Sequence, residues 1–225
     1  MLERKSLATA QIPGGDTLTL VSHGRDFIIM LGRDELMGTR MRYSEEQLAR
    51  LTIGQLDMPN PRVLIGGYGM GFTYRAALEA IGEKGHIIVG EVVPEILEWA
   101  RGPLAQLTGD TLDDPRGSVA LGDVADLIED GADGSRYDAI LLDVDNGPDG
   151  LVRAQNDRLY SRTGLAKARD ALAAGGVLAI WSAAPDPAFT RRLKGAGFEV
   201  EAREVRARPN NKGPRHTIWF ARKPG

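Results

Sequence analysis

Four glycines within six residues interrupt the segment RVLIGGYGMGFT, residues 62–73. The short apolar run before them predicts a buried strand over residues 63–65, and the pattern after them predicts a helix over residues 73–81. Glycines in a turn between a strand and a helix permit positive φ angles and let another group approach the backbone closely. The helix that follows offers unpaired backbone N–H groups at its N-terminus. This turn therefore indicates an α/β fold with a ligand site next to the glycines.

Strand and helix patterns alternate through the rest of the chain. Further strands are predicted at residues 86–91, 118–121, 138–143, 177–181, 199–206 and 216–222, and further helices at residues 94–101, at residues 165–174 with a stop at Gly175-Gly176, and after Asp186-Pro187. Near-continuous apolar strands that alternate with helices are typical of a parallel sheet covered on both faces. We therefore predict a doubly wound, mostly parallel, seven-stranded Rossmann-like domain over residues 61–225.

The residues before this domain have a different pattern. Residues 17–21 and 26–31 alternate in the manner of strands. Ser44-Glu45-Glu46-Gln47 has the pattern of a capping box and predicts a helix that extends to about Ile53. We therefore predict that residues 1–60 form a small β-rich segment with one helix, which packs on the main domain.

Composition and charge exclude several classes of protein. The chain of 225 residues is 42% apolar and 26% charged, which is typical of a globular protein with a sizeable core. Its net charge of −3 gives no electrostatic indication of a nucleic-acid partner. It has no cysteine, no apolar stretch of membrane-spanning length, and three histidines without metal-ligand spacing. These features predict a cytoplasmic protein that binds neither a membrane nor nucleic acid nor a metal.

Acidic residues stand at the ends of three predicted strands. Glu91 ends the second strand, Asp123 follows the third, and Asp143 ends the fourth. Ligands of doubly wound sheets bind beyond the carboxyl ends of the strands, so these acids are expected beside the glycine turn. An acid at the position of Glu91 accepts hydrogen bonds from the ribose hydroxyls of adenosine-containing cofactors.

The spacing of the glycines distinguishes two kinds of cofactor. Dinucleotide-binding turns have the pattern G-x-G-x-x-G, whereas Gly67-Tyr-Gly-Met-Gly71 has the pattern G-x-G-x-G, which is common in S-adenosylmethionine binders. The alternative is that the glycines only make a tight turn. Because acids follow at three strand ends, we predict a nucleoside site, and the spacing argues against a nicotinamide-dependent oxidoreductase.

The order of these motifs resembles that of the spermidine synthases, which are aminopropyltransferases on the class I methyltransferase fold. The resemblance depends on the glycine turn, Glu91, Gly122-Asp123 and Leu142-Asp143-Val-Asp145-Asn-Gly-Pro148. It implies that Glu91 binds the cofactor ribose, that Asp123 faces the adenine amino group, and that Asp143 acts on the attacking amine. The cofactor-binding residues implied in this way are Gly67, Tyr68, Gly69, Met70, Gly71, Glu91, Val92, Asp123 and Val124.

Two departures from the family pattern leave the transferred group open. Met70 replaces an aspartate that in the family holds the ammonium end of decarboxylated S-adenosylmethionine, and a methionine cannot do so. The loop after the fourth strand is shortened, which makes Asp145 the candidate for the second amine-binding acid. Met70 argues against polyamine synthesis, whereas Asp143 and Asp145 favour a cationic acceptor.

A sulfonium donor supplies its own leaving group, so the enzyme must align the nucleophile and remove its proton. Asp143 and Asp145 are the predicted catalytic residues. The leading hypothesis is a spermidine synthase-like transferase that moves an aminopropyl or methyl group from decarboxylated S-adenosylmethionine or S-adenosylmethionine to a small amine. The alternatives are a methyltransferase unrelated to polyamines and a catalytically silent nucleoside-binding homologue. The resemblance also implies a homodimer.

Overall fold

A computed structural model describes residues 4–144 and 157–225. Its first part is a four-stranded antiparallel sheet in which consecutive strands are neighbours: β1 (Arg4–Gln11), β2 (Thr17–His23), β3 (Asp26–Leu31) and β4 (Asp34–Gly38). Gly24 and Gly32 adopt φ angles of 66° and 58° in the two tight turns. The sequence predicts β2 and β3, whereas β1 and β4 were not identified individually.

Helix α1 (Tyr43–Ile53) follows this sheet. Its N-cap residue is Arg42, and no side chain caps its first turn. Ser44 lies inside the helix, where its hydroxyl group contacts Trp181 and His216 instead of the helix backbone. The predicted capping box is therefore wrong, although the predicted helix is present.

The main sheet has seven strands: β5 (Arg62–Gly66), β6 (His86–Glu91), β7 (Gly117–Leu121), β8 (Tyr137–Leu142), β9 (Leu172–Ser182), β10 (Glu199–Arg208) and β11 (Lys212–Arg222). Their order is β10-β11-β9-β8-β5-β6-β7. β5 to β9 pair in parallel, and β11 runs antiparallel to both of its neighbours. The predicted doubly wound, mostly parallel sheet is confirmed.

The remaining helices are α2 (Phe72–Ala80), α3 (Pro94–Arg101), α4 (Ala105–Thr108), α5 (Val124–Asp133), α6 (Asp157–Tyr160), α7 (Arg162–Ala171) and α8 (Pro187–Gly195), with a 3-10 turn at Thr111–Asp113. α7 ends earlier than predicted, because the buried Leu172 already pairs with Tyr137 in the sheet. Gly175-Gly176 therefore lies within β9 rather than at a helix end. Within the described ranges, no helix is long and apolar enough to cross a membrane.

The main sheet buries one apolar cluster on each face. Successive residues of its strands face opposite clusters, so Ile65 and Leu141 contribute to one cluster while Leu64 and Ile140 contribute to the other. The first cluster also contains Ile29 and other residues of the N-terminal sheet. Apolar residues of the N-terminal sheet therefore share the core on that face of the main sheet. The proposed boundary at residue 60 remains a prediction.

Candidate active site

The carboxyl ends of the central strands bring the predicted acids to one edge. Strand pairing sets Gly66, the last residue of β5, level with the last residue of β8 and with the residue before the end of β6. One residue stands at this edge for each of four neighbouring strands. In the order β6, β5, β8 and β9, these residues are Glu91, Gly67, Asp143 and Trp181. Acids predicted from separate parts of the sequence therefore lie along one edge of the sheet.

A pocket opens at this edge between the main sheet and the N-terminal part. Seven of the residues predicted from the sequence line it: Gly67, Gly69, Glu91, Val92, Asp123, Val124 and Asp143. The side chains of Tyr68 and Met70 lie in the hydrophobic core instead, and Gly71 is the N-cap residue of α2. Their predicted contacts with a cofactor remain predictions. Asp145 lies outside the described residues.

The glycine turn is shaped by other atoms of the chain. Gly67, Gly69 and Gly71 have φ angles of 83°, 54° and 75°, which other residues rarely adopt. A Cβ atom on Gly69 would lie 2.7 Å from Cε of Met37, and one on Gly67 would lie 3.1 Å from the backbone oxygen of Asp143. The positive φ angles favour glycine at all three positions, and the neighbouring atoms leave little room for a Cβ at Gly67 and Gly69. The close approach of a ligand to this backbone remains a prediction.

Glu91 joins two segments at the end of the pocket formed by the ends of β6 and β7, which we call the nucleoside end after the ligand predicted there from the sequence. Its carboxylate accepts a hydrogen bond from the backbone N–H of Tyr68 and another from that of Val93, both at 2.9 Å. A carboxylate has about four acceptor positions, so these bonds leave acceptor capacity for a ligand. Glu91 thus fixes the glycine turn against β6 and can still bind hydroxyl groups.

Asp123, also at the nucleoside end, has a structural role that the sequence analysis did not identify. Its Oδ1 atom accepts a hydrogen bond from the backbone N–H of Ala125 at 2.9 Å, which caps α5. Its Oδ2 atom lies 2.8 Å from Nη2 of Arg158. An aspartate before an amphipathic run is a recognisable helix start, and this signal was available in the sequence. The predicted contact of Asp123 with adenine remains a prediction.

Glu45 and Asp143, which we call the acid pair, line the pocket near the ends of β8 and β9. We call this the acceptor end, after the amine that the sequence predicts at Asp143. Asp143 accepts a hydrogen bond of 2.6 Å from the hydroxyl group of Thr73. The same hydroxyl group lies 3.3 Å from the backbone oxygen of Glu45. Thr73 therefore positions the strand end that carries one acid relative to the helix that carries the other.

Burial controls the protonation of the acid pair. Desolvation raises the pKa of Asp143 to about 6, although the hydrogen bond from Thr73 opposes this change. Desolvation also raises the pKa of Glu45 well above its ordinary value, and the nearby charges of Asp143 and Glu46 act in the same direction. Near neutral pH the acid pair therefore holds less than two full negative charges.

A buried hydrogen-bond network holds Trp181 in the wall of the pocket. The indole Nε1–H of Trp181 donates to Oγ of Ser44 at 3.1 Å, and Oγ lies 2.8 Å from Nδ1 of His216. Burial lowers the pKa of His216, which favours a neutral ring that can accept the hydroxyl proton of Ser44. The sequence analysis did not predict three of these site residues, Ser44, Glu45 and His216. The first two were assigned to a capping box, and the histidine has no other possible metal ligand near it in the sequence.

The charge of the pocket has one sign. The titratable residues among its described lining are Glu45, Glu91, Asp123 and Asp143, and this lining contains no lysine, arginine or histidine. Within residues 4–144 and 157–225, no group of three or more acids, histidines or cysteines is arranged to hold a metal ion. The pocket therefore suits a cationic organic ligand with hydroxyl or amino groups.

Comparison with known proteins finds similar sequences and similar structures. No family model matches the chain. Polyamine aminopropyltransferases of Mycobacterium tuberculosis and Mycobacterium bovis are 32% identical to it over 145 residues, which are 61% of this chain and 27% of each relative. The chain thus spans about a quarter of the length of the curated relatives that it matches.

The solved structures show the likeness over almost the whole chain. The spermidine synthase of Thermotoga maritima superposes with a TM-score of 0.75 at 20% identity, and the match covers 97% of this chain and 72% of that one. The chain shares the fold of the spermidine synthases. A spermidine synthase in complex with the transition state analogue AdoDATO gives the same values. The predicted resemblance is confirmed, with a shared fold from the structures and a relation in sequence from the aminopropyltransferases.

Proposed function

We propose that the protein is a transferase that moves an aminopropyl group from decarboxylated S-adenosylmethionine to a small amine. The observation that carries this proposal is the one-sided charge of the pocket, with four acidic and no basic side chains in its described lining. The donor carries a sulfonium and an ammonium group, and the acceptor is also cationic, so each is attracted to the pocket. The carboxylate group of S-adenosylmethionine would meet no described cationic side chain there. The names of the sequence relatives support the same reaction.

At the nucleoside end, the acids and the glycine turn hold the donor. Glu91 offers its remaining acceptor positions to the ribose hydroxyls, and Asp123 faces the adenine amino group. Gly67 and Gly69, which line the pocket, let the nucleoside contact the backbone. The further cofactor-binding residues proposed from the sequence are Tyr68, Met70, Gly71, Val92 and Val124.

At the acceptor end, the reaction forms one bond and breaks one. The nitrogen lone pair of the acceptor attacks the propyl carbon next to the sulfonium, the new C–N bond forms, and the C–S electron pair passes to sulfur. Sulfur leaves as the neutral thioether of methylthioadenosine. Before this attack, Asp143, whose pKa of about 6 leaves it mostly ionised at neutral pH, accepts a proton from the ammonium group of the acceptor, which frees the nitrogen lone pair. Asp145 is proposed as a second acid.

A methyl transfer from S-adenosylmethionine is the second candidate, and one residue favours it. Met70 carries no charge, and its side chain is 1% exposed in the core. It therefore provides nothing that would hold the ammonium group of the decarboxylated donor. Under the leading proposal the acid pair, rather than the glycine turn, supplies the negative charge for that group.

Ligand binding and product analysis separate the two candidates. The melting temperature of the protein is measured with decarboxylated S-adenosylmethionine, S-adenosylmethionine, methylthioadenosine and NAD, since a ligand of the folded state raises it. We expect a larger increase with the decarboxylated form than with S-adenosylmethionine, no increase with NAD, and release of methylthioadenosine during turnover. A larger increase with S-adenosylmethionine and release of S-adenosylhomocysteine would establish methyl transfer instead. No increase with any adenosyl ligand would contradict both candidates.

The cellular location and the oligomeric state belong to the same proposal. A cytoplasmic location is proposed from the composition, and a homodimer is proposed from the resemblance to the spermidine synthases. Sedimentation velocity at several protein concentrations tests the homodimer, since a dimer sediments as a single species of twice the chain mass of 24.3 kDa.

A further inference from the structure

The hydroxyl group of Thr73 contacts both segments that carry the acid pair. Thr73 belongs to the first turn of α2, directly after the glycine turn, and is 3% exposed. Its Oγ1 atom lies 2.6 Å from Oδ2 of Asp143 and 3.3 Å from the backbone oxygen of Glu45. The contact with Asp143 therefore involves the carboxyl group itself, whereas the contact with Glu45 involves the main chain.

The hydroxyl group distinguishes between these two acceptors. It has one proton, which it can donate to only one acceptor at a time. The carboxyl oxygen of Asp143 is the nearer acceptor, and when it is ionised its charge makes the hydrogen bond about twice as strong as one between neutral groups. The bond is therefore stronger to the ionised form of Asp143 than to the protonated form. Thr73 thus stabilises negative charge on Asp143.

The surroundings of Asp143 oppose this charge. Desolvation raises the pKa of Asp143, and the hydrogen bond from Thr73 acts in the opposite direction. The other titratable groups of the described pocket lining are Glu45, Glu91 and Asp123, all of them acids. The hydrogen bond from Thr73 is therefore a contact that favours ionisation in a buried and acidic part of the pocket.

Further titratable groups belong to the elements packed around this strand end. Glu46 of α1 pairs with Arg75 of α2 at 3.2 Å, and His216 of β11 lies 2.8 Å from Oγ of Ser44. All these groups remain in place when Thr73 alone is replaced. A change in the pKa of Asp143 after that replacement therefore reports the lost hydrogen bond.

We propose that Thr73 is a positioning residue of the reaction, which holds one carboxylate oxygen of Asp143 and keeps this acid charged so that it can act as the base. The proposal depends on the proposed function, in which Asp143 takes a proton from the ammonium group of the acceptor. Thr73 acts through Asp143 and needs no contact with either substrate. After the transfer Asp143 is a weaker acceptor, and the hydroxyl group can turn to the backbone oxygen of Glu45.

Removal of the hydroxyl group tests its effect on Asp143 without any ligand. Thr73→Val keeps the shape of the side chain, and Thr73→Ser keeps the hydroxyl group. The pKa of Asp143 is measured in the full chain by NMR of carboxyl-labelled aspartate, and the loss of its signal in Asp143→Asn identifies it. We expect the pKa to rise by about one to two pH units in Thr73→Val and to stay near the wild-type value in Thr73→Ser. An unchanged pKa in Thr73→Val would overturn the proposal.

Thr52→Val is the matched control. Thr52 is 0% exposed, and its hydroxyl group donates to the backbone oxygen of Leu48 at 2.6 Å. The control therefore loses a buried hydrogen bond of the same length that does not reach an acid. We expect it to leave the pKa of Asp143 unchanged, and a rise as large as that in Thr73→Val would overturn the proposal. If Thr73→Val does not fold, Thr73→Ala takes its place in the same comparison.

The pH dependence of turnover tests the role of Thr73 in the reaction. kcat/KM is measured with decarboxylated S-adenosylmethionine and 1,4-diaminobutane, and the titration of this amine is the same for every variant. Because Asp143 must be ionised to accept a proton, we expect the acid limb of the Thr73→Val profile to move to higher pH by the measured change in pKa. At high pH its turnover should approach that of the wild type. A loss of equal size at every pH would indicate a purely structural role and would overturn the proposal.

The outcomes distinguish the role of Thr73 from the proposed function. If the pKa of Asp143 does not respond to Thr73→Val while Asp143→Asn still loses turnover, the role of Thr73 fails and the proposed function stands. If the pKa responds but the acid limb does not follow it, Asp143 is not the base, and that step of the proposed function fails together with the role of Thr73. If the wild type turns over no adenosyl donor, the proposed function fails, and the role of Thr73 in the reaction fails with it.

Discussion

The nucleoside end and the acceptor end of the pocket hold their carboxylates in different ways. Glu91 and Asp123 accept hydrogen bonds from backbone N–H groups, and Asp123 also pairs with Arg158. The acid pair has no such support; the one hydrogen bond found for its carboxyl groups among the described residues is that from Thr73 to Asp143. Burial raises the pKa of both members of the pair.

This difference suits the carboxylates of the nucleoside end to ligand binding and those of the acid pair to proton transfer. Backbone donors stabilise the charged form of a carboxylate and fix its position, which suits a group that only accepts hydrogen bonds from a ligand. A desolvated carboxylate with few donors takes up a proton more readily, which suits a general base. Substitutions at the two ends should therefore have different consequences for turnover, stability and nucleoside affinity.

The largest expected effect is that of Asp143→Asn on turnover. The amide keeps the shape of the side chain and can still accept the hydrogen bond from Thr73, but it cannot take a proton from the acceptor. We expect kcat to fall by about 10²- to 10⁴-fold, the usual contribution of a general base, with the affinity for methylthioadenosine changed by less than about threefold. Steady-state kinetics and calorimetry measure the two quantities.

Asp126→Asn is the matched control for this substitution. Asp126 lies in the first turn of α5, outside the pocket lining, and its side chain is 71% exposed. The turnover of the Asp126→Asn variant should equal that of the wild type. Turnover of Asp143→Asn at the wild-type rate would show that Asp143 is not the base. The two ends of the pocket would then not differ in proton transfer.

The same substitution, Asp143→Asn, is expected to have a smaller effect on the free energy of unfolding, and the sign of this effect depends on pH. The pKa of Asp143 is raised from 3.8 to about 6 in the folded protein. Its contribution to stability is therefore fully present below pH 4 and is lost as the pH rises through 6, by up to about 3 kcal/mol. The raised pKa of Glu45 acts in the same direction. Asp143→Asn should become more stable than the wild type as the pH increases.

Urea unfolding at several pH values between 4 and 8 measures this difference in the free energy of unfolding. Groups distant from Asp143 titrate equally in both proteins, so their contributions cancel in the difference. Glu45 loses the repulsion of Asp143 in the variant, so its pKa is raised less there and it adds to the difference. A difference that does not change with pH would show that Asp143 is not desolvated, and the contrast between the two ends would then be one of position alone.

The smallest of these effects is expected at the nucleoside end. Glu91→Gln replaces one acceptor oxygen with an NH2 group, which cannot accept the hydrogen bond from Tyr68 or from Val93. We expect a loss of about 1–3 kcal/mol in the free energy of unfolding and about tenfold weaker methylthioadenosine binding. Calorimetry tests the binding and urea unfolding the stability. Wild-type affinity in this variant would contradict the assignment of Glu91 to the nucleoside.

The nucleoside end could be predicted from the sequence because its signals are local. A parallel strand, a glycine turn and an acid at the end of the next strand follow one another in the chain, and strand ends of a parallel sheet meet at one edge. The sequence predicts the positions of Gly67, Glu91 and Asp123 in this way, and by the same rule it places Asp143, of the acceptor end, at the same edge of the sheet. The helix that Asp123 caps was missed, since the aspartate was already assigned to a ligand.

The acceptor end depends on contacts between distant segments, which a local pattern does not reveal. Glu45 reaches the pocket only because α1 packs over β8 and β9. The segment Ser44-Glu45-Glu46-Gln47 matches a capping box in the sequence, but the burial of Ser44 against Trp181 prevails over that local preference. The orientation of Met70 toward the core is likewise a result of packing that its place in the glycine turn does not determine.

The network around Ser44 also has a consequence for the order of folding. Ser44 is separated from Trp181 by 137 residues and from His216 by 172 residues along the chain. Contacts between such distant residues form only after a long loop has closed, and they slow the folding of the structures that contain them. During synthesis, the part of the pocket wall that contains Trp181, beside Asp143, is complete only when the last strand, β11, has been made and has paired. Tyr68 of the glycine turn and Glu91, 23 residues apart, can meet much earlier.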